Sequence, residues 1–209
     1  AMIDMFNSMI DEMFDYGRFI LNSKRKNPAN DLLSAIANAK IKGEDLSQEF
    51  LDGSWLLIIF AGNDTTRNTL SGGIKLLHEN QNQKDLLLND KDLLPNFINE
   101  TVRCVSPVIH MRRTSLEETE INGQRIGPHE KIALWYGAAN RDPDIFKNPD
   151  EFDILRENAD KHLAFGIGRH TCLGKPIALM QLKEFYLQFL TKFKDFEMNG
   201  NWKVAPNNF

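Results

Sequence analysis

The sequence predicts a mainly α-helical protein with a small β region. Three observations carry that reading. Long segments repeat apolar residues at helical spacing. Residues 55–61 (Trp-Leu-Leu-Ile-Ile-Phe-Ala) are apolar on every side. One stretch only, 116–136, switches to a two-residue period, around the dipeptide Asn122-Gly123.

Residues 2–23 read as a helix on Met2, Met5, Phe6, Met9, Ile10, Met13. A polar break follows, and its basic cluster Lys24, Arg25 and Lys26 reads as a solvated loop. Asp31 can cap a second helix through about Lys40, and Gly43 breaks it. In residues 45–79, Asp45 with Gln48 makes a capping-box start. The helix would run roughly 50 Å at 1.5 Å per residue. A helix apolar all round is expected to be buried all round, which would set Asp64 deep in the core, where an ionised carboxylate is costly. Helices fit 84–88 and 92–105, the second with Pro95 near its first turn and Pro107 at its stop. Asn122-Gly123 is a hairpin signal between 119–121 and 124–126, and 132–136 reads as a third strand. Residues 137–171 hold Pro143, Pro149, Gly166 and Gly168, a long irregular segment of the kind that carries function. Residues 173–193 return to helix, and the stretch leading to Phe209 is strand-like. There is no internal repeat and no low-complexity tract.

The chain has 209 residues, 42% hydrophobic and 26% charged, the composition of an ordinary globular protein. With 25 basic against 29 acidic residues the net charge is −4, which gives no global attraction to nucleic acid. Residues 55–61 are far shorter than the ~20 apolar residues of a membrane span. Two cysteines, Cys104 and Cys172, argue against a disulfide framework and for a reducing, cytoplasmic setting. Position 1 is not Met, no secretory signal pattern opens the chain, and a helical pattern is already under way. Both ends are expected to continue in a longer protein.

The ten residues 165–174, Phe-Gly-Ile-Gly-Arg-His-Thr-Cys-Leu-Gly, concentrate the chemistry. Gly166 and Gly168 permit a tight turn. Cys172 then falls at the start of a helix, where unpaired N–H groups and the dipole favour a thiolate. Gly174 leaves room for something flat against that helix. On these residues alone Cys172 is a nucleophile, a metal ligand or a buried structural cysteine.

The pattern F-G-x-G-x-H-x-C-x-G resembles the haem-binding signature of the cytochrome P-450 superfamily in its bacterial form. Three further segments resemble that family in the same order. Ala61-Gly-Asn-Asp-Thr-Thr66 is similar to its oxygen-activation motif on a long central helix. Glu100-Thr-Val-Arg103 is similar to its E-x-x-R helix. Asn140-Arg-Asp-Pro143 with Phe152-Asp-Ile-Leu-Arg156 is similar to the segment that leads into the haem loop. The implied fold is the C-terminal part of a cytochrome P-450. It comprises the long central helix, the E-x-x-R helix, a β-hairpin region, the haem-binding loop and the proximal helix. Residues 1–209 would be a partial domain lacking the N-terminal half and the last C-terminal strand.

The resemblance also implies roles. Cys172 would be the axial thiolate of the iron of haem b, iron protoporphyrin IX. Phe165 would pack beside the sulfur, within the Gly166 turn. His170 and Arg113, rather than Arg112, would meet the haem propionates. Cys104 would be core, and His162 and His110 structural. Glu100, Arg103 and Arg156 would form a buried charge network under the haem loop. On the other haem face, Asp64 and Thr65 would be the acid–alcohol pair that delivers protons to oxygen, with the small Ala61 and Gly62 leaving space for it. The implied activity is insertion of one oxygen atom from O2 into a small apolar substrate, of the alkane, fatty-acid or sterol kind, with electrons from a ferredoxin or similar donor. Arg103, Lys161, Arg169, Lys175 and Lys183 would form the basic patch that steers an acidic ferredoxin. The rival readings are a haem-thiolate peroxygenase or reductase, a zinc or thiol-nucleophile site on His162, His170 and Cys172, and a non-catalytic truncated remnant.

Overall fold

The computed structural model of the chain describes residues 2–200. The strand-like stretch leading to Phe209 lies outside the described residues. The described residues divide into two compact units, with the boundary after Asp64.

In the first unit, helix α1 (Met2–Lys26) runs past its expected end. Lys24, Arg25 and Lys26 form its last turn rather than a loop, where cations oppose the negative end of the helix dipole. Lys24 pairs with Asp31, and Arg25 Nε donates to the Ala37 carbonyl at 2.7 Å. Helix α2 (Leu32–Ala37) is capped by Asp31, whose Oδ1 accepts the Ser34 N–H at 2.8 Å. It stops short of Lys40 because strand β1 (Lys40–Ile41) turns back onto strand β2 (Glu44–Asp45). Lys42 and Gly43, at φ of 53° and 87°, make that turn. Asp45 is therefore taken up in a strand, and the cap of helix α3 (Gln48–Glu79) is Ser47 instead, its Oγ accepting the Phe50 N–H at 3.2 Å.

Leu21, Ala37, Leu51 and Trp55 close the core of this unit. Trp55 Nε1 donates to the Met13 carbonyl at 3.1 Å, and the indole lies over Gly17. Burial ends there. Leu57, Ile59 and Phe60 are 67%, 40% and 59% exposed, and Asp64 is exposed too. The expected all-round burial of residues 55–61 and the deep carboxylate are not found, because α1 and α2 cover one face of α3 only.

The second unit begins at Thr65, within α3. Helix α4 (Gln81–Asn89) leads through a 3₁₀ turn at Lys91–Leu93 into helix α5 (Leu94–Val105), with Pro95 in its first turn. Ser106 ends α5 in the left-handed region at φ 43°, its Oγ donating to the Arg103 carbonyl at 2.8 Å, just before Pro107. Strand β3 (His110–Thr114), not expected from the sequence, comes next. The hairpin of strands β4 (Thr119–Ile121) and β5 (Gln124–Ile126) forms as read, with Asn122 and Gly123 at φ of 51° and 79°. The expected third strand is β6 (Lys131–Trp135), and it pairs antiparallel with β3 rather than with the hairpin, setting Arg113 opposite Ile132. Tyr136 already belongs to the short helix α6 (Tyr136–Ala139). An irregular path with helical turns at Ala159–Lys161 and Gly168–His170 leads to helix α7 (Lys175–Lys192).

The core of this unit joins α3, α4, α5 and α7 through Leu77, Leu87, Phe97, Ile154, Tyr186 and Leu190, each no more than 1% exposed. Glycine lets α3 approach its neighbours. A Cβ on Gly72 would come within 2.5 Å of Val105 Cγ2, and one on Gly73 within 2.1 Å of the Tyr186 hydroxyl. On one side of α7, Phe185 and Phe189 stack at 5.6 Å along a groove of about 630 Å³. Among the described residues no helix is long and apolar enough to cross a membrane.

A Cβ on Gly17 would sit 2.5 Å from Trp55 Cδ1. Gly17→Ala should therefore destabilise the protein by about 1–3 kcal/mol through overpacking. The measurement is the urea midpoint at constant m-value, and an unchanged midpoint would show that the indole can move aside without cost.

Candidate functional site

Glu100 and Arg103, one turn apart on α5, are both 0% exposed. Arg103 Nε and Nη2 donate to Glu100 Oε2 and Oε1 at 2.7 and 2.8 Å. Arg156 Nε reaches both oxygens of the same carboxylate at 3.1 and 3.2 Å, and the Asp153 N–H donates to it at 3.0 Å. Apart from a bond from Arg103 Nη2 to Cys104 Sγ at 3.2 Å, the remaining guanidinium donors go to main chain. Arg103 binds the carbonyls of Asn140, Pro149 and Glu151, and Arg156 those of Lys147, Asn148 and Glu151, at 2.5 to 3.1 Å. Burial, the largest single effect on Glu100, opposes its charge. The Arg103 bonds, the Asp153 N–H and Arg156 together outweigh it and hold the carboxyl below its usual range. Because Arg103 has no exposed surface, it cannot belong to the expected basic docking patch. Lys161, Arg169, Lys175 and Lys183 are exposed.

Asn140 is a residue the sequence reading left without a role. It is 0% exposed. Its Nδ2 donates to Ser106 Oγ at 2.8 Å, and its Oδ1 accepts the Leu163 N–H at 2.6 Å. It ties the end of α5 to the start of the cysteine loop. The Asn-Arg-Asp-Pro run was the signal available for it.

The cysteine loop is a series of closed turns. The Leu163 carbonyl accepts the Gly166 N–H at 2.8 Å, and the Gly168 carbonyl accepts the Thr171 N–H at 3.1 Å. The Phe165 carbonyl accepts the Cys172 N–H at 2.7 Å, which fixes the cysteine against the start of the loop. Gly166, at φ 68°, is required twice over, since a Cβ there would lie 2.9 Å from the His170 carbonyl oxygen. Cys172 is exposed, in a loop whose Ile167 and Leu173 are also exposed. A Cβ on Gly174 would meet only the Cys172 sulfur, at 3.9 Å. The Phe165 ring lies 5.6 Å from the His162 ring, and the Lys175 ammonium stands over it at 5.4 Å. Burial, then Lys175, pushes the His162 imidazole down to about 4, so it stays neutral. His170 is exposed.

The other thiol differs. Burial, then the Glu100 charge, pushes Cys104 up to about 12. Arg113, half-buried, shares a face of the β3–β6 pair with Met111, Ile132 and Leu134. Ala61, Gly62 and Asp64 lie on α3 in the first unit, all exposed. Thr65 opens the second, half-buried, its carbonyl accepting Thr69 Oγ1 at 2.8 Å.

Residues 85–207 match the family model described as Cytochrome P-450. The chain belongs to the cytochrome P-450 family. It is 37% identical to linalool 8-monooxygenase of Pseudomonas putida over 96% of this chain and 49% of that protein. It is 38% identical to a steroid C26-monooxygenase of Mycobacterium tuberculosis over 92% of this chain and 51% of that one. Cytochrome P-450-153 from Novosphingobium aromaticivorans superposes with a TM-score of 0.83 at 36% identity, covering 91% of this chain and 47% of that structure. The chain thus spans about half the length of the curated relatives it matches.

The cytochrome P-450 family implies haem, and the donor set here fits it. Among the described residues no three His, Cys, Asp or Glu side chains converge to hold a bare metal ion. A macrocycle that brings its own nitrogen ligands needs one protein donor. Cys172 offers one exposed thiol in a loop that also presents the exposed side chains of Ile167, Leu173, Arg169 and His170.

Replacing Glu100 by Gln leaves two buried guanidinium groups unpaired, a loss of about 3–5 kcal/mol. Because the Glu100 carboxyl is held low when folded, its contribution is complete above the ordinary carboxylate range. It is lost as pH falls through the lower folded value, below about 4. Acid unfolding followed by circular dichroism should show this limb in the parent chain and not in Glu100→Gln.

The two thiols should also separate chemically. Iodoacetamide on the native haem-free chain should alkylate Cys172 and spare Cys104 until denaturant is added. Equal labelling of both under native conditions would contradict the burial of Cys104.

Proposed function

We propose that the chain is the haem-thiolate part of a monooxygenase that inserts one atom of O2 into a small apolar substrate with electrons from a ferredoxin-like donor. The observation that carries this reading is Cys172, exposed in a glycine-shaped loop that is braced through Asn140 and the Glu100 network.

In this reading Cys172 would supply the thiolate that holds the haem iron. Haem, taken as the b form, supplies when bound the redox-active iron at which O2 is reduced. His170 and Arg113 hold its propionates as charge-assisted partners. The glycines of the loop let main chain come close to the sulfur. Asp64 takes protons from solvent, consistent with its exposure, and Thr65 holds the last hydrogen-bond donor before oxygen. Ala61 and Gly62 keep that stretch of α3 free of bulk. Exposed Lys161, Arg169, Lys175 and Lys183 favour an acidic electron donor. Two cysteines without a disulfide fit a reducing cytoplasm. An apolar substrate agrees with the linalool and steroid monooxygenases among the relatives.

The test is spectral and then catalytic, in the full-length protein. Cys172→Ser should abolish the shifted Soret band of the reduced carbon-monoxide complex, whereas Cys104→Ser should keep it. The parent should hydroxylate an apolar substrate with NADH and a ferredoxin system. A shifted band that survives Cys172→Ser removes the assignment. Turnover with hydrogen peroxide alone would replace monooxygenase by peroxygenase.

A further inference from the structure

Within residues 65–70 of α3, the carbonyl groups of Thr65, Thr69 and Leu70 receive side-chain donors in addition to the ordinary helical amide. Thr69 Oγ1 donates to the Thr65 carbonyl at 2.8 Å. The Tyr186 hydroxyl lies 3.1 Å from the Thr69 carbonyl and 2.9 Å from that of Leu70. Tyr186 stands on α7, the helix that follows Cys172. Its ring is 0% exposed and is held edge-on by Phe97 at 4.8 Å and by Phe185 at 5.3 Å. The hydroxyl is therefore aimed. It reaches the backbone of α3 because Gly73 has no side chain, a Cβ there falling 2.1 Å from the oxygen. Burial also pushes the Tyr186 hydroxyl up, so it remains a proton donor throughout the physiological range.

Second donors on helical carbonyls tilt those carbonyls outward and bend the helix locally. At residues 65–70 the shape of α3 is thus set by a donor from another helix as well as by its own ladder. We propose that Tyr186 is a positioning residue for Thr65: through the Thr69 and Leu70 carbonyls, and through the Thr69 hydroxyl, it fixes the turn of α3 from which the Thr65 side chain projects. This rests on the reading of Thr65 as the hydroxyl that serves oxygen. The link runs from the Cys172 helix to Thr65 through bonds alone, so the thiolate side and the oxygen side share one mechanical reference.

The experiment compares Tyr186→Phe, Thr69→Val and Thr65→Ala in the full-length haem protein. Tyr186→Phe keeps the ring and removes the hydroxyl. Thr69→Val keeps the branched shape and removes only the bond to the Thr65 carbonyl. Amide hydrogen exchange at residues 73 and 74, whose N–H groups bond the Thr69 and Leu70 carbonyls in a regular helix, should quicken about two- to tenfold in Tyr186→Phe. Haem content, the carbon-monoxide spectrum and substrate KM should stay at parental values. The share of consumed O2 that leaves as hydrogen peroxide, which takes two electrons and two protons per O2, should rise severalfold, and should rise no further in the double variant with Thr65→Ala. Parental coupling in both Tyr186→Phe and Thr69→Val, with Thr65→Ala uncoupled, overturns the proposal alone. Parental coupling in Thr65→Ala overturns the reading of Thr65, and the proposal with it. If Tyr186→Phe yields no haem protein, Thr69→Val decides by the same two outcomes.

Discussion

A carboxylate with no exposed surface stays ionised only if its surroundings replace the water it has lost. Glu100 has that replacement in two guanidinium groups and one amide, and much of the second unit is arranged around this requirement. Arg103 comes from the same helix one turn on, so the first pair forms as α5 forms. Arg156 comes from 56 residues away, so the pair becomes a triad only when the segment beyond Phe152 has folded back. Asn96 Nδ2 holds that segment through the Ile154 and Arg156 carbonyls at 2.7 and 3.0 Å, and Gln83 accepts the Ile154 N–H at 2.9 Å. The irregular path from Asn140 to Arg156 has little secondary structure of its own. The network supplies the hydrogen bonds that a sheet or helix would otherwise provide.

From this base the cysteine loop is reached through Asn140. Its carbonyl belongs to the Arg103 set, while its side chain grips Ser106 on one side and the Leu163 amide on the other. The position of Cys172 therefore depends on an ion network that it does not touch. On the other side of the same core, α3 is seated by close approach, glycine against Val105 and Tyr186. Rigidity comes from buried charge in one place and from absent side chains in the other.

What was legible in the sequence follows the range of the interactions. The β4–β5 hairpin could be read to the residue because Asn122-Gly123 is local chemistry. The start of α3 was misplaced because Asp45 and Gln48 satisfy a capping pattern on paper, while the short β1–β2 hairpin removes Asp45 from use. Strand β3 was missed because His-Met-Arg-Arg-Thr shows no clear alternation and its partner begins at Lys131. Glu100 with Arg103 could be seen as a pair from spacing, but Arg156 entered only by resemblance. Tyr186 and the Gly72-Gly73 pair gave no signal at all, since a contact across 116 residues has no local signature. The exposure of Leu57 and Phe60 shows the opposite limit. Composition says that a surface wants cover, and not whether the neighbouring residues provide it.

Arg103 and Arg156 hydrogen-bond to five carbonyl groups in the stretch from Asn140 to Glu151, and the Arg103 guanidinium also lies over the Phe146 ring at 5.1 Å. Main-chain oxygens are the same for every amino acid. Side-chain changes at Lys147 or Glu151 leave the recognised atoms in place, whereas inserting or deleting one residue shifts the carbonyls away from their donors together. Drift in this segment across evolution should then be liberal in letter and strict in length.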